Sequence, residues 1–144
     1  MTMYHYDLCG LDYVYLASGY RRHDTAYGPG ISFSGGLDEA IADELVANKP
    51  RLTGPEFRHI RVMLDRSQNE IAKFMDVSEQ TVARWEKGQT ALPFLADWFI
   101  RMLWRDLRGQ TAPLTEEIER LWTLDDSGWT KKVFRYAKGW KVAA

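Results

Sequence analysis

The chain has little of the chemistry that most enzymes and metal sites require. Its 144 residues include one cysteine, Cys9, and three histidines, so an internal disulfide framework is ruled out. No nucleophile elbow, phosphate-binding loop or metal-binding helix motif is present. The densest group of carboxylates has the spacing of a solvated helix face: Asp38, Glu39, Asp43 and Glu44. We therefore expect no catalytic residues, no cofactor and no metal.

One mixed metal site stays open as an alternative. A structural zinc needs four ligands, and the available donors are His5, Cys9, His23 and Asp24. Their spacing matches no standard zinc pattern. The simpler interpretation is a small buried thiol with two surface histidines.

Long hydrophobic runs are also missing. The longest apolar cluster, from Phe94 to Leu107, is interrupted by four charged residues, Asp97, Arg101, Arg105 and Asp106. A membrane-spanning helix needs about 20 consecutive apolar residues, and we expect neither such a helix nor a signal peptide. We expect a cytoplasmic protein with no membrane partner.

The formal net charge of -1 hides an uneven distribution along the chain. Residues 1–50 carry three basic and seven acidic side chains, and residues 51–92 carry seven and six. Residues 93–127 carry four basic and seven acidic side chains, whereas the tail from Gly128 carries five basic and none acidic. We predict a mainly α protein with a small ββα module at 1–50, a helical domain at 51–110, and a C-terminal helix with a basic β tail at 111–144.

Residues 67–88, SQNEIAKFMDVSEQTVARWEKG, predict two short helices joined by a tight turn. Ser67 with Glu70 three residues later forms a capping box, and Ser78 offers a second N-cap. The buried faces are predicted at Ile71, Ala72 and Met75 in the first helix and at Val82 and Trp85 in the second, with Gly88 as a left-handed stop. Such a helix-turn-helix is typical of DNA-binding proteins, although the same pattern would suit a plain helical hairpin in a larger bundle.

The stretch from Leu52 to about Pro93 resembles the helix-turn-helix domain of the Cro/repressor (XRE-like) superfamily. The resemblance is carried by LDRSQNEIA, from Leu64 to Ala72, and DVSEQTVARWEKG, from Asp76 to Gly88. Asp76 stands where the superfamily usually has glycine, and aspartate tolerates the left-handed conformation better than most residues. The resemblance implies that the second helix enters the major groove of DNA by its N-terminal end.

The exposed positions of that second helix are predicted to read bases. Arg84 suits guanine, Gln80 suits adenine and Glu79 suits the amino group of cytosine, while Thr81 adds a further contact. The resemblance places Gln68 at a position from which phage-type repressors hold a backbone phosphate. The predicted phosphate contacts are Ser67, Gln68, Ser78, Lys87, Gln89 and Arg61.

An additional helix of the same domain precedes this pair. Thr53 is a predicted N-cap with Glu56 at the third helical position, and Phe57 and Ile60 are inward. Arg58 and Arg61 are predicted to face outward. His59 is predicted to lie on the surface or to face phosphate.

The N-terminal module starts with strand-like sequence. Residues 13–16 and 31–33 suit short strands, Gly28-Pro29-Gly30 suits a turn, and Leu37 to Ala47 suits an amphipathic helix. The segment from Tyr4 to Tyr20 resembles the N-terminal part of MqsA-type (YgiT-like) antitoxins through Cys9-Gly10-Leu11 and the strand at Val14 to Leu16. Those proteins join a small zinc-bearing domain to an XRE-like domain, but their zinc-binding cysteine pairs are absent here. The resemblance therefore implies a module that is stabilised by aromatic packing instead of metal.

The helix predicted from Pro93 to Leu107 carries a wide apolar stripe. Its members are Leu95, Trp98, Phe99, Met102 and Leu103, with Phe94 and Trp104 off its centre. One small domain has few means of burying so much aromatic surface, so we predict a homodimer that binds a palindromic operator in double-stranded DNA. The alternative is that the stripe packs against the N-terminal module or the C-terminal tail.

Beyond this helix, Leu114 to Leu124 predicts another helix with Thr115 as its cap and with Ile118, Leu121 and Trp122 inward. The tail that follows predicts a short strand or hairpin. The basic tail would either contact DNA phosphates as an accessory arm or offset the negative charge of the acidic stretch beside it.

Together these features predict a sequence-specific DNA-binding regulator that represses its own operon. The acidic N-terminal module also suggests an antitoxin whose partner is a small basic toxin. The alternative from another class is a protein-interaction adaptor whose helix-turn-helix does not bind DNA.

Overall fold

The computed structural model of the chain describes residues 2–110 and 113–143. The chain divides into two compact units: unit 1 comprises Met1–Ile41 and Ser127–Ala144, and unit 2 comprises Ala42–Asp126. Residues 111 and 112, where the C-terminal segment was predicted to begin, lie outside the described residues.

Unit 1 is built on short strands. In chain order they are β1 (Tyr4–His5), β2 (Val14–Leu16), β3 (Tyr20–Thr25), β4 (Gly28–Phe33), β5 (Lys132–Tyr136) and β6 (Trp140–Val142). One sheet has the order β1-β2-β5-β6, and β3 pairs with β4 in a separate antiparallel hairpin. Within the four-stranded sheet β2 and β5 are parallel, with Val14 opposite Lys132 and Leu16 opposite Phe134. Val14, Leu16 and Phe134 are buried, so one face of this sheet forms the core of unit 1.

Several predictions for these segments are confirmed and two are wrong. The strand at Val14–Leu16, the C-terminal hairpin and the helix α1 (Leu37–Asn48) are all present. Residues 20–25, which were not predicted as a strand, form β3, because the sequence YRRHDT has no apolar alternation to reveal it. Gly28-Pro29-Gly30 belongs to β4 and is not the turn, which lies at Ala26–Tyr27. Pro29 is tolerated there because a two-stranded hairpin leaves outward-facing edges that need no N–H donor.

The C-terminal tail belongs to the same unit as the N-terminal strands, whereas the predicted boundaries at residues 50 and 110 separated the two segments. Parallel pairing of β2 with β5 joins segments more than 100 residues apart in the chain. No local pattern encodes such a partnership, because parallel strands need a long crossover connection.

Unit 2 is helical. After the end of α1 it contains α2 (Gly54–Met63), α3 (Gln68–Met75), α4 (Glu79–Glu86), α5 (Phe94–Leu107) and α6 (Leu114–Thr123). Its core includes fully buried side chains from four of these helices, Phe57, Ile60, Ile71, Val82 and Ile100. A helical DNA-binding domain was predicted, but with six strands alongside six α-helices among the described residues, "mainly α" understates the sheet content.

Helix α5 buries a different face from the predicted stripe. Ala96, Ile100 and Trp104 are buried, and between them lies an ion pair in which Arg101 Nε donates to Asp97 Oδ1 at 2.6 Å. Arg101 is 1% exposed and Asp97 is 3% exposed. Asp97 Oδ2 also accepts from the Leu52 N–H at 2.8 Å, and Arg101 Nη1 donates to the Val46 carbonyl at 3.1 Å. This cluster connects the end of α1, the segment before α2, and α5.

Two further positions correct the sequence-based expectations. Trp104, predicted off the apolar centre, is almost fully buried and donates from Nε1 to Asp43 Oδ1 at 2.9 Å. Trp122, predicted inward, is 74% exposed, whereas Leu121 beside it is buried. Among the described residues, no helix combines the length and apolar character that a membrane span requires.

Candidate nucleic-acid interface

The turn between α3 and α4 is defined by local interactions at both helix ends. Ser67 accepts the Glu70 N–H and the Glu70 side chain accepts the Ser67 N–H, which confirms the predicted capping box. Helix α3 ends at Asp76 in the left-handed conformation, with φ 55° and ψ 46°. Ser78 Oγ then accepts the Thr81 N–H at 3.1 Å and begins α4. Each end is therefore fixed by the residue type that its geometry requires.

The end of α4 and the start of α2 are fixed in the same way. Gly88 follows the last residues of α4 with φ 72°, as predicted for a glycine stop. The predicted capping box between Thr53 and Glu56 at the start of α2 is present. Gly54 lies so close to the Trp85 carbonyl oxygen that a Cβ there would clash with it. The first turn of α2 consequently packs directly on the last turn of α4.

Helix α4 separates an apolar back from a polar front. Val82 is 0% exposed and Trp85 is 6% exposed, and the Trp85 ring meets Phe57 edge-to-face with centroids 6.1 Å apart. The predicted base-reading residues Glu79, Gln80 and Arg84 are exposed. Their side chains are therefore available to a macromolecular partner while the core holds the helix in place.

Thr81 is the less accessible member of the predicted base-reading set. Its side chain is half-buried and its Oγ1 lies 2.8 Å from Ser78 Oγ. A contact from Thr81 to a base would compete with this local hydrogen bond.

The positions predicted to contact phosphate fall into two groups. Ser67, Ser78, Lys87 and Gln89 are exposed at the ends of α3 and α4. Gln68 is half-buried and uses one amide N–H to reach Glu86 Oε1 at 2.9 Å. Its second amide N–H remains as a donor, because a side-chain amide carries two.

Arg61 does not lie on this surface, which corrects the prediction that it contacts phosphate. Its Nε and Nη2 donate to the two carboxylate oxygens of Glu86 at 2.6 and 3.0 Å, and its Nη1 donates to the Arg66 carbonyl at 2.9 Å. Both Arg61 and Glu86 are buried. Arg61 lies four residues after Phe57 and therefore on the inward face of α2.

His59 was also predicted on the surface, and it is buried. Arg58, which was predicted to face outward, is exposed. Of these three polar residues of α2, only Arg58 lies where it was predicted, because position in the helical repeat decides burial here more than polarity does.

One residue of the candidate surface was missed. Asn69, exposed in the first turn of α3, donates from Nδ2 to Glu79 Oε2 at 3.4 Å. One indication of this role is present in the sequence: Asn69 directly follows Gln68, and both residues lie in the first helical turn after the same N-cap. Asn69 connects the N-terminal turns of α3 and α4 and orients the carboxylate of Glu79.

The electrostatics at the start of α3 favour a charged capping residue. The pKa of Glu70 lies below its usual value, because the Ser67 backbone N–H donates to the carboxylate and the Arg66 guanidinium donates a second bond at 2.9 Å. The acidic cap thus stays ionised at neutral pH. It stabilises α3 through a hydrogen bond and through the helix dipole.

Outside this surface, the described residues offer little for metal chemistry. No group of three or more His, Cys, Asp or Glu side chains among them is arranged to hold a metal ion. Cys9 is buried, as the simpler interpretation predicted, and burial raises the pKa of its thiol to about 11.

Residues 57–94 match the helix-turn-helix family of proteins. The matched range runs from within α2 to the first residue of α5 and covers about a quarter of the chain. No curated protein and no solved structure matches the chain. Residues 57–94 are therefore a helix-turn-helix domain, which supports the relationship of this segment to the Cro/repressor (XRE-like) superfamily. The resemblance of Tyr4 to Tyr20 to MqsA-type antitoxins stays a prediction.

Proposed function

We propose that this protein is a sequence-specific DNA-binding transcriptional regulator that inserts α4 into the major groove. The observation that carries the proposal is the division of α4 into two faces. Val82 and Trp85 are buried, while Gln80 and Arg84 face solvent from the first and last turns of the helix. Side chains at these positions of a recognition helix reach base edges.

Each exposed residue of α4 has a matching base edge. Arg84 donates to O6 and N7 of guanine, and Gln80 forms the two-bond pairing with adenine. Glu79 accepts from the amino group of cytosine, with Asn69 holding its carboxylate in place. Thr81 contacts a base only after its hydroxyl group breaks its hydrogen bond with the Ser78 hydroxyl group.

The flanking residues hold the duplex through its backbone. Ser67, Gln68 and Ser78 contact phosphates from the N-terminal ends of α3 and α4, where helix N–H groups already favour anions. Lys87 and Gln89 contact phosphates from beyond the C-terminal end of α4, through their side chains. Arg61 has a different role, since its buried pair with Glu86 fixes α4 against α2.

We further propose that the regulator acts as a homodimer on a palindromic operator. The face of α5 formed by Leu95, Trp98, Phe99, Met102 and Leu103 is apolar; Leu95 is 71% exposed and the other four are half-buried. Burying this face against a second copy removes it from water and relates two recognition helices by a two-fold axis. The expected operator has half-sites about one helical turn apart.

We also propose that the dimer represses the operon that encodes it. A toxin partner has weaker support, because the charge argument for it changes with the structure. The basic tail belongs to unit 1, which therefore carries seven basic and five acidic side chains. A unit with this charge does not offer a predominantly acidic surface to a basic toxin.

Selection of duplexes from a random pool by the full chain tests the proposal. We expect an enriched palindrome, protection of a matching sequence beside the protein's own coding region, and loss of enrichment in Gln80→Ala. Weak, salt-insensitive association with every duplex would instead establish the adaptor whose helix-turn-helix does not bind DNA.

A further inference from the structure

The four-stranded sheet of unit 1 has a second face that does not belong to the core. Residues directly opposite each other on neighbouring strands share a face, so His5, Tyr15 and Val133 lie together, away from the buried Val14 and Leu16. The His5 and Tyr15 rings are stacked with centroids 4.6 Å apart. Lys131 Nζ lies 4.9 Å from the centre of the Tyr15 ring. Aromatic and basic side chains therefore meet on an open surface.

A cavity of about 390 Å³ opens in unit 1 beside these residues. This volume falls in the lower part of the range of about 300–1,000 Å³ that small-molecule sites occupy. Part of its lining is apolar and comes from all four strands or their extensions: Met3, Ala17, Val133 and Val142. The rest includes the three cationic residues Lys131, Lys132 and Arg135, and no aspartate or glutamate is among the described residues that line the cavity.

Two of the cations at this cavity, Lys131 and Arg135, lie in a strongly basic segment. Residues 127–144 contain five basic and no acidic side chains. Among the described residues, neither Lys131 nor Arg135 forms an ion pair. A cavity with apolar walls and the cations of Lys131 and Arg135 at its rim is complementary to an anion that also has an apolar part.

We propose that this cavity binds a small organic anion, with a phosphate or carboxylate group held by Arg135 and Lys131 and an apolar group against Met3, Ala17 and Val133. The guanidinium of Arg135 supplies paired donors that match the planar geometry of a carboxylate or two oxygens of a phosphate. The apolar walls distinguish such a ligand from inorganic phosphate, which would leave them in contact with water. The site is independent of the DNA-binding proposal, because every residue that lines it belongs to unit 1.

Calorimetric titration of the full chain with 2-naphthyl phosphate tests this site. Inorganic phosphate and 2-naphthol, each of which carries one half of the probe, are the matched ligands. We expect saturable one-to-one binding of 2-naphthyl phosphate and much weaker binding of either half. Arg135→Gln should weaken binding at least about tenfold, since a hydrogen-bonded charge is lost. Arg135→Lys should recover part of the loss by restoring the charge without the paired donors.

Two further variants separate the cavity from general charge. Ala17→Met fills the apolar part without changing any charge and should abolish binding of the naphthyl group. Lys138→Asn removes one positive charge from the turn between β5 and β6, at a left-handed position that asparagine tolerates, and does not line the cavity. It should bind as the wild type does.

Three results would overturn the proposal. The first is no saturable binding of 2-naphthyl phosphate, and the second is equal weakening by Arg135→Gln and Lys138→Asn. The third is tighter binding of a single-stranded DNA dodecamer that Ala17→Met leaves unchanged, which would make the sheet face a nucleic-acid surface instead.

Discussion

Arg61 on α2 and Glu86 at the end of α4 form a two-bond ion pair, with donor–acceptor distances of 2.6 and 3.0 Å. Gln68 adds a third bond to the same carboxylate at 2.9 Å. One buried carboxylate therefore connects three helices, including the one that carries the candidate base-reading residues. The orientation of α4 depends on a charged group that is almost fully buried.

Removing this carboxylate should destabilise unit 2 strongly. Glu86→Ala leaves the buried Arg61 guanidinium without its counter-charge, and losses of this kind cost about 3–5 kcal/mol. Urea unfolding of the variant and the wild type measures the difference. Glu79→Ala, which removes an exposed carboxylate from the same helix, should cost less than about 1 kcal/mol. Equal costs for the two variants would contradict the structural role of Glu86.

The capping box at the start of α3 should make stability sensitive to acid. The folded-state pKa of Glu70 lies below the usual value of a glutamate, because the ionised form accepts from the Ser67 N–H and from Arg66. Its stabilising contribution is complete above that usual value and is lost as the pH falls through the lower folded-state value. Glu70→Gln keeps an acceptor for the cap but removes the titration. Thermal midpoints measured from pH 6 to pH 3 should therefore fall further for the wild type than for this variant, and parallel profiles would exclude the contribution.

The helix-turn-helix was predictable from sequence because its determinants are local. Ser67, Ser78 and Gly88 act within one turn of their helices, and the left-handed Asp76 needs only a tolerant side chain. Burial of Val82 and Trp85 follows from helical spacing alone. Each of these features can be recognised within a few residues of sequence.

Features that depend on distant partners were not predictable in this way. Arg61 and Asp97 are buried because Glu86 and Arg101 neutralise them, and nothing adjacent in the sequence shows which charged residues will be paired. For the Asp97–Arg101 pair the spacing of four residues was visible, but a solvent-exposed pair has the same spacing. The parallel pairing of β2 with β5 depends on how the whole chain closes.

Arg84→Ala should reduce affinity for the selected operator by about 1–3 kcal/mol and relax the preference at a single base pair. The reason is the loss of two directed hydrogen bonds to one guanine. Arg84→Lys keeps the charge but not the paired geometry and should also lose the preference. Binding titrations on the operator and on a random duplex measure both effects. Equal loss on the two duplexes in Arg84→Ala would overturn the assignment of α4 to the groove.

Lys87→Ala should act differently, because Lys87 is expected to contact a phosphate. The variant should weaken binding to all duplexes alike and reduce the slope of log affinity against log salt by about one. Lys73 is an exposed lysine on α3 that was not assigned a DNA contact. Lys73→Ala is therefore the matched control, with an unchanged slope. A sequence-dependent loss in Lys87→Ala would show that the lysine reads a base.

Leu95→Glu should convert the proposed dimer to a monomer while leaving the fold intact. Leu95 is 71% exposed and lies in the first turn of α5, where an acidic side chain is compatible with the helix dipole. Buried at a two-fold interface, however, two unpaired carboxylates would face each other and disfavour association. Sedimentation velocity at micromolar concentration should therefore show a dimer for the wild type and a monomer for the variant. Trp122→Glu changes an equally exposed apolar residue on α6 and should leave the dimer intact. A wild-type monomer would remove the palindromic operator, and a dimer broken only by Trp122→Glu would move the interface from α5 to α6.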